Sequence, residues 1–122
     1  MLQVEIWQVQ TIAPDKTILD LEVDAFRKVV DLNLFGMVLP TMAFVDVMAK
    51  NKKGVIVNFC SESALRPLTR VVGYGSAKAA IANYTRYMAT ELATKFSLIL
   101  ADHCIFTFGY GKFGRLLTGI QD

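Results

Sequence analysis

A short, apolar, β-branched run between two long helical patterns constrains this chain more than any other feature of its sequence. The run VIVNF at residues 55–59 is of the kind that a parallel strand buried on both faces requires. Apolar residues recur at helical spacing before it, over about residues 20–50, and an alanine-rich helical pattern follows over about residues 73–95. A second apolar run, residues 98–105, indicates another parallel strand. The order helix, strand, helix, strand predicts an α/β fold with right-handed crossovers.

The first long helix is expected to begin at a capping residue and to be irregular near its middle. Asp20 is the candidate N-cap, because its carboxylate can accept hydrogen bonds from the first backbone N–H groups. Pro40 lies inside the pattern and removes the hydrogen bond to the carbonyl of Gly36, which predicts a kink or bulge near residues 33–37. Before this helix, alternating apolar residues at 2–9 suggest a short strand or an extended arm.

Composition and charge exclude several classes of protein. With 122 residues, 53% hydrophobic and 20% charged, the chain fits one globular domain rather than a disordered segment. The net charge is only +2 and the basic residues are scattered apart from a small lysine cluster at 50–53, so no nucleic-acid partner is expected. Charges interrupt the apolar stretches, and the N-terminus has no signal-peptide pattern. We therefore expect a cytoplasmic protein without a membrane partner.

The cysteines and the single histidine carry no motif. Cys60 and Cys104 are far apart in the sequence, without CxxC spacing or a neighbouring histidine cluster. They therefore indicate neither a zinc site nor a disulfide framework, and both are expected to be small buried hydrophobic residues. His103 stands alone in an apolar run, which favours a structural role over metal binding.

Two side chains on the second helix form the main candidate site. Tyr74 and Lys78 are four residues apart, so they lie on one helical face about a turn from each other. This spacing alone also fits a half-buried tyrosine beside a solvated lysine. Ser61, however, follows directly after the strand at 55–59, and the carboxyl ends of parallel strands are where α/β proteins place their ligands.

The segment GVIVNFCSESALRPLTRVVGYGSAKAAIANYTRYMATELA resembles the serine-bearing strand and YxxxK helix of the short-chain dehydrogenase/reductase family, and VVDLNLFG resembles the preceding helix with the family's active-site asparagine. On this resemblance Ser61, Tyr74 and Lys78 correspond to the catalytic triad and Asn33 to its fourth member. Tyr74 and Lys78 would also contact the cofactor. The resemblance implies NAD- or NADP-dependent hydride transfer between an alcohol and a ketone. The stretch SALRPLTRVVGYGSAKAAI is most similar to enzymes of sugar acids such as mannonate and fructuronate.

The chemistry explains why these residue types are needed. Hydride transfer at a carbinol carbon must be matched by proton transfer at its oxygen, and an isolated tyrosine, with a pKa of about 10, is a weak base at neutral pH. A lysine one turn away favours the phenolate. Ser61 would hydrogen-bond the substrate oxygen, and Asn33 would hold a water that relays the proton.

The resemblance fails at both ends of the chain. It implies one partial domain over residues 1–122, with an irregular arm at 1–19, the best match at 20–96 and a divergent tail at 97–122. The expected fold is α/β and partly Rossmann-like, with parallel strands and two long helices but without the first βαβ half. The family's TGxxxGxG turn does not occur in the sequence, and Phe108 with Gly109 stands where the family has a Pro-Gly pair. The remaining tail glycines, at 111, 114 and 119, follow no GxGxxG spacing.

Two classes of function follow from this partial match. The chain is either a truncated oxidoreductase or a non-catalytic remnant that associates with intact relatives through its helices. Since the missing turn is the family's pyrophosphate site, the isolated chain is expected to bind neither NAD(H) nor NADP(H) and to be inactive. The family's long helices pair between subunits, which implies a homo-oligomer. No metal site is expected.

Overall fold

A computed structural model of the chain describes residues 11–93 and 97–103. An irregular stretch and a 3-10 turn at Ile18–Asp20 precede the regular elements. The helices and strands are α1 (Val23–Val30), α2 (Gly36–Asn51), β1 (Lys53–Phe59), α3 (Val72–Ala93) and β2 (Ser97–His103). The predicted order of helix, strand, helix and strand is therefore confirmed. The strand expected at 2–9 and the tail glycines lie outside the described residues.

The two strands pair in parallel, as their apolar runs predict. The register aligns Lys53 with Ser97 at one end and Phe59 with His103 at the other. Because both strands have the same length and no offset, their carboxyl ends lie level with each other. Residues that follow β1 therefore emerge at one edge of the described sheet.

The first long helix begins later than the sequence suggests. Asp20 does not cap it; instead Asp20 closes the 3-10 turn by accepting hydrogen bonds from the N–H of Thr17 (2.9 Å) and its hydroxyl (3.2 Å). The Thr17 hydroxyl in turn accepts from the N–H of Leu19, which completes a capping box. These hydrogen bonds hold the pKa of Asp20 below its ordinary value. The expectation for Asp20 is wrong because Thr17, three residues earlier, is the better local partner.

The predicted irregularity in this helix is confirmed, slightly earlier than expected. A π-helical turn at Asp31–Phe35 joins α1 to α2 without a break. In it the N–H of Gly36 reaches back to the carbonyl of Asp31. Pro40 lies one turn further on, inside α2, where it offers no N–H to the carbonyl of Gly36. Widening the preceding turn lets the helix continue through the proline.

The described core lies between the two long helices and one face of β1. One cluster in it consists of Val45, Met88, Ala89 and Leu92, with Met48, Ile56 and Tyr84 packed against them. Buried within the same layer, the Asn58 side-chain N–H donates to the hydroxyl of Thr85 over 2.9 Å, and that hydroxyl donates to the carbonyl of Ile81 over 2.8 Å. This chain of hydrogen bonds satisfies the polar groups at the helix–strand contact.

The other face of β1 is open. Val55, Val57 and Phe59 are 59%, 50% and 68% exposed, and they alternate with residues that face the helices. The expectation that this strand is buried on both faces is therefore wrong for the described chain. Helices α2 and α3 cover one side of the strand only.

The helical stretch Val23–Asn51 is long and apolar enough to cross a membrane by length and composition, and little of it is buried. Asp46 interrupts its longest uncharged run, residues 32–45, short of the roughly 20 residues that a membrane span needs. Length and composition are weak evidence for a span, however. The same stretch contacts α3 and β1 along one side.

Candidate functional site

The Tyr74 and Lys78 side chains meet, as their spacing on α3 predicts. The Lys78 ammonium lies 5.4 Å from the centroid of the Tyr74 ring, within the range of a cation–π contact. It also donates a hydrogen bond of 2.9 Å to the carbonyl of Phe59, the last residue of β1. Burial lowers the pKa of Lys78 from its ordinary value. Lys78 thus joins the tyrosine to the carboxyl end of the strand.

Ser61 is held just beyond that strand end. It caps a 3-10 turn, Glu62–Ala64, and its hydroxyl oxygen accepts from the N–H of Ser63 (3.3 Å) and from the Ser63 hydroxyl (2.9 Å). A serine that accepts both of these bonds keeps its own proton to donate. Ser61 is therefore arranged as a hydrogen-bond donor, the role that the sequence predicts toward a substrate oxygen. Ser63, which sequence reasoning missed, orients it.

The turn that carries Ser61 packs directly on α3. A Cβ atom added to Gly75 would lie 2.9 Å from the carbonyl oxygen of Ser63, closer than real Cβ atoms come. Glycine therefore allows the backbone of the serine turn to approach the helix between Tyr74 and Lys78. This contact holds the serine turn against the helix that carries the YxxxK pair.

Asn33 lies in the π-helical turn, which packs against α3. Its side-chain N–H donates to the carbonyl of Val29 over 3.0 Å, which fixes the amide against its own helix. The structure thus joins Tyr74, through Lys78, to the strand end, and it holds the turn that Ser61 caps against the same helix. It brings Asn33 to that helix through packing of the surrounding turn.

Cys60, between the strand and Ser61, is buried, as expected. Its sulfur lies 3.5 Å from the backbone carbonyl of Lys78, so the residue also packs against α3. Cys104 lies outside the described residues.

The donor set favours an organic ligand. Lys78 uses one N–H on the Phe59 carbonyl and, as an ammonium, has two more to offer to hydroxyl groups. The Tyr74 and Ser61 hydroxyls can likewise form hydrogen bonds with the hydroxyl groups of a ligand. Among residues 11–93 and 97–103, no group of three or more metal-ligating side chains converges.

A model of the short chain dehydrogenase family matches residues 8–99 of this chain. An uncharacterised oxidoreductase of Haemophilus influenzae is 38% identical over 74 residues, which cover 61% of this chain and 26% of that protein. A Brucella melitensis 3-oxoacyl-[acyl-carrier protein] reductase with bound NAD superposes with a TM-score of 0.69 at 27% identity, over 77% of this chain and 35% of that one. A putative D-mannonate oxidoreductase from Haemophilus, also with bound NAD, gives a TM-score of 0.65 at 27% identity, over 80% and 38%. The chain therefore spans well under half the length of these proteins.

Proposed function

The chain belongs to the short-chain dehydrogenase family, and we propose that it supplies the acid–base part of an NAD- or NADP-dependent oxidoreductase acting on an alcohol or ketone. The observation that carries this proposal is the position of the Lys78 ammonium, between the Tyr74 ring and the carbonyl of Phe59. A cation held beside a tyrosine at the carboxyl end of a parallel strand is suited to proton transfer at a ligand bound there.

In the proposed reaction, Tyr74 takes the proton from the substrate hydroxyl when an alcohol is oxidised and returns it when a ketone is reduced. A nicotinamide bound beside these residues would supply the hydride chemistry. Ser61 donates a hydrogen bond to the substrate oxygen, because Ser63 fills the accepting side of its hydroxyl. The Lys78 ammonium lies over the tyrosine ring, 5.4 Å from its centroid. Asn33, whose amide is hydrogen-bonded to its own helix, would bind a water that carries the proton away.

Tyr74 and Lys78 are also the residues that would hold the nicotinamide ribose, through the two N–H groups of Lys78 that the Phe59 carbonyl does not use. The pyrophosphate and adenosine need other contacts, which the family provides with a Gly-rich turn that this sequence does not contain. Two hydrogen bonds to a ribose contribute together about 1–6 kcal/mol, which offsets at most the low end of the roughly 4–15 kcal/mol lost on immobilising a free ligand and leaves little net affinity. We therefore propose that cofactor binding needs a complementary polypeptide segment.

Within the family, we propose a sugar acid as the substrate. This rests on the resemblance of residues 63–81 to enzymes of mannonate and fructuronate, and a solved relative bears the name putative D-mannonate oxidoreductase.

The second candidate function is association without catalysis. The first long helix exposes Phe35, Leu39 and Met42. Phe35, Leu39 and Met42 recur at helical spacing, so they form one apolar face. We propose a second copy of this chain as its partner, since self-complementary helix faces pair readily in symmetric dimers. Such a face would mediate association in an active enzyme and in an inactive remnant alike.

Turnover of a completed enzyme tests the catalytic proposal. The chain is fused behind the cofactor-binding half of a family member, and NAD(P)H is followed spectroscopically with alcohol, ketone and sugar-acid substrates. Tyr74→Phe should lower kcat by about a hundredfold or more, the usual scale for losing general acid–base catalysis. Tyr87→Phe, an exposed tyrosine on the same helix, is the matched control and should be neutral. Equal activity of the two variants would remove Tyr74 from the mechanism.

A further inference from the structure

Thr11 contacts the start of α3, although the two are far apart in the sequence. It is 7% exposed, and its hydroxyl oxygen accepts the backbone N–H of Gly73, 62 positions later, over 3.3 Å. Gly73 is the second residue of α3, where the N–H has no partner within the helix. Val71, which precedes the helix, has no side-chain acceptor to cap it. Thr11 therefore provides the cap that the local sequence lacks.

The same residue fixes the loop before the helix. The carbonyl of Arg70 accepts two hydrogen bonds from Thr11, from its N–H (2.9 Å) and from its hydroxyl (3.4 Å). The Arg70 guanidinium donates back to the carbonyl of Pro14 over 2.8 Å. Arg70 has a φ of 67°, a left-handed conformation that is unfavourable for residues other than glycine. Contacts with residues 11–14 hold this conformation from outside the loop.

Packing matches the hydrogen bonds. A Cβ atom on Gly73 would lie 2.7 Å from the Thr11 Cγ2 atom and 3.4 Å from the Phe26 ring. The threonine methyl group thus occupies the space that glycine leaves, and it does so against α1. The Thr11 side chain therefore limits where α3 can begin. Tyr74 follows Gly73 directly in this helix.

We propose that Thr11 is a positioning residue for Tyr74: by capping Gly73 and holding Arg70, it sets the first turn of α3 and with it the place of the tyrosine beside Lys78. The importance of that place for turnover rests on the proposed function. The positioning itself does not, since it depends only on the contacts between Thr11, the loop and the helix.

The test uses the purified, isotope-labelled full chain and two readouts by NMR. Amide hydrogen exchange at Gly73 reports the cap, and the cross-relaxation signal between the Tyr74 ring and the Lys78 side chain reports the tyrosine's place. Thr11→Val keeps the shape and removes the hydroxyl, whereas Thr11→Ser keeps the hydroxyl. Thr90→Val removes an exposed hydroxyl, bonded to a helix carbonyl, at the far end of α3 and is the matched control.

In Thr11→Val we expect Gly73 to exchange about fivefold faster or more, the scale for losing an N-cap, and the Tyr74–Lys78 signal to weaken. Thr11→Ser should retain both readouts, and Thr90→Val should change neither. The proposal is overturned if Thr11→Val leaves the Tyr74–Lys78 signal intact. It is also overturned if exchange rises equally along the whole helix, because the change would then be a general loss of stability. A complete, inactive enzyme with this NMR pattern would refute the proposed function and leave the positioning role standing.

Discussion

Replacing Gly75 with alanine tests the closest contact in the candidate site. Alanine is favoured over glycine inside a helix by about 1 kcal/mol, so propensity alone predicts a more stable protein. The new Cβ atom, however, would lie 2.9 Å from the carbonyl oxygen of Ser63, a backbone atom that moves only with its turn. Overpacking of this kind costs about 1–3 kcal/mol. We therefore expect Gly75→Ala to lose up to about 2 kcal/mol of unfolding free energy.

Gly36→Ala is the matched control, because Gly36 is also helical and its added Cβ would meet only ordinary contact, 3.8 Å from the carbonyl oxygen of Asp31. It should gain about 0.5–1 kcal/mol. Urea unfolding followed by far-UV circular dichroism measures both variants against the parent chain. If Gly75→Ala is stabilised as much as Gly36→Ala, then the serine turn does not press on α3, and this contact does not hold the turn against the helix.

Burial lowers the pKa of Lys78, so between that pKa and its ordinary value of 10.5 the unfolded chain binds more protons than the folded one, and stability should rise with pH. Urea midpoints from neutral pH to 10.5 should show this rise in the parent chain and a flatter profile in Lys78→Met; parallel profiles would contradict it. Burial raises the pKa of Tyr84, so its contribution to the pH dependence of stability has the opposite sign, and it is present in both the parent chain and Lys78→Met. Light scattering at tens of micromolar should show a dimer or larger species that Leu39→Lys dissociates and Leu19→Lys, at a fully solvated site, does not. A monomer that binds lipid vesicles would instead favour a membrane surface as the partner of that face.

The sequence predicts the parts of this fold that depend on local patterns. Helical spacing and the β-branched run find the elements and their order, and the four-residue interval places Tyr74 and Lys78 on one face. Because Pro40 must disturb the turn before it, the sequence predicts a kink or bulge near residues 33–37, although not that it is a π-helical turn at Asp31–Phe35. Each of these features depends on neighbours a few residues away, which a single sequence displays.

Features that depend on distant partners could not be read in the same way. An apolar run shows that β1 prefers burial, but only packing shows that one face, with Val57 and Phe59, stays open. Thr11 belongs to no motif, and its partner Gly73 is 62 positions away. The acceptor of the Lys78 ammonium is a backbone carbonyl, that of Phe59, which has no side-chain signature. Such contacts appear only once the strand and the helix are placed side by side.

The level ends of the two strands explain why the site lies where it does. Phe59 pairs with His103 in the last aligned position, so the chain leaves the described sheet at a single edge. There the carbonyl of Phe59 points to Lys78, and Ser61 follows two residues later at the start of its 3-10 turn. Burial lowers the pKa of Lys78. The Phe59 carbonyl at the strand end supplies the hydrogen-bond acceptor that water would otherwise provide. The strand end thus orients Lys78, and the Lys78 ammonium lies over the ring of Tyr74, so the geometry of the candidate site follows from the position of the sheet.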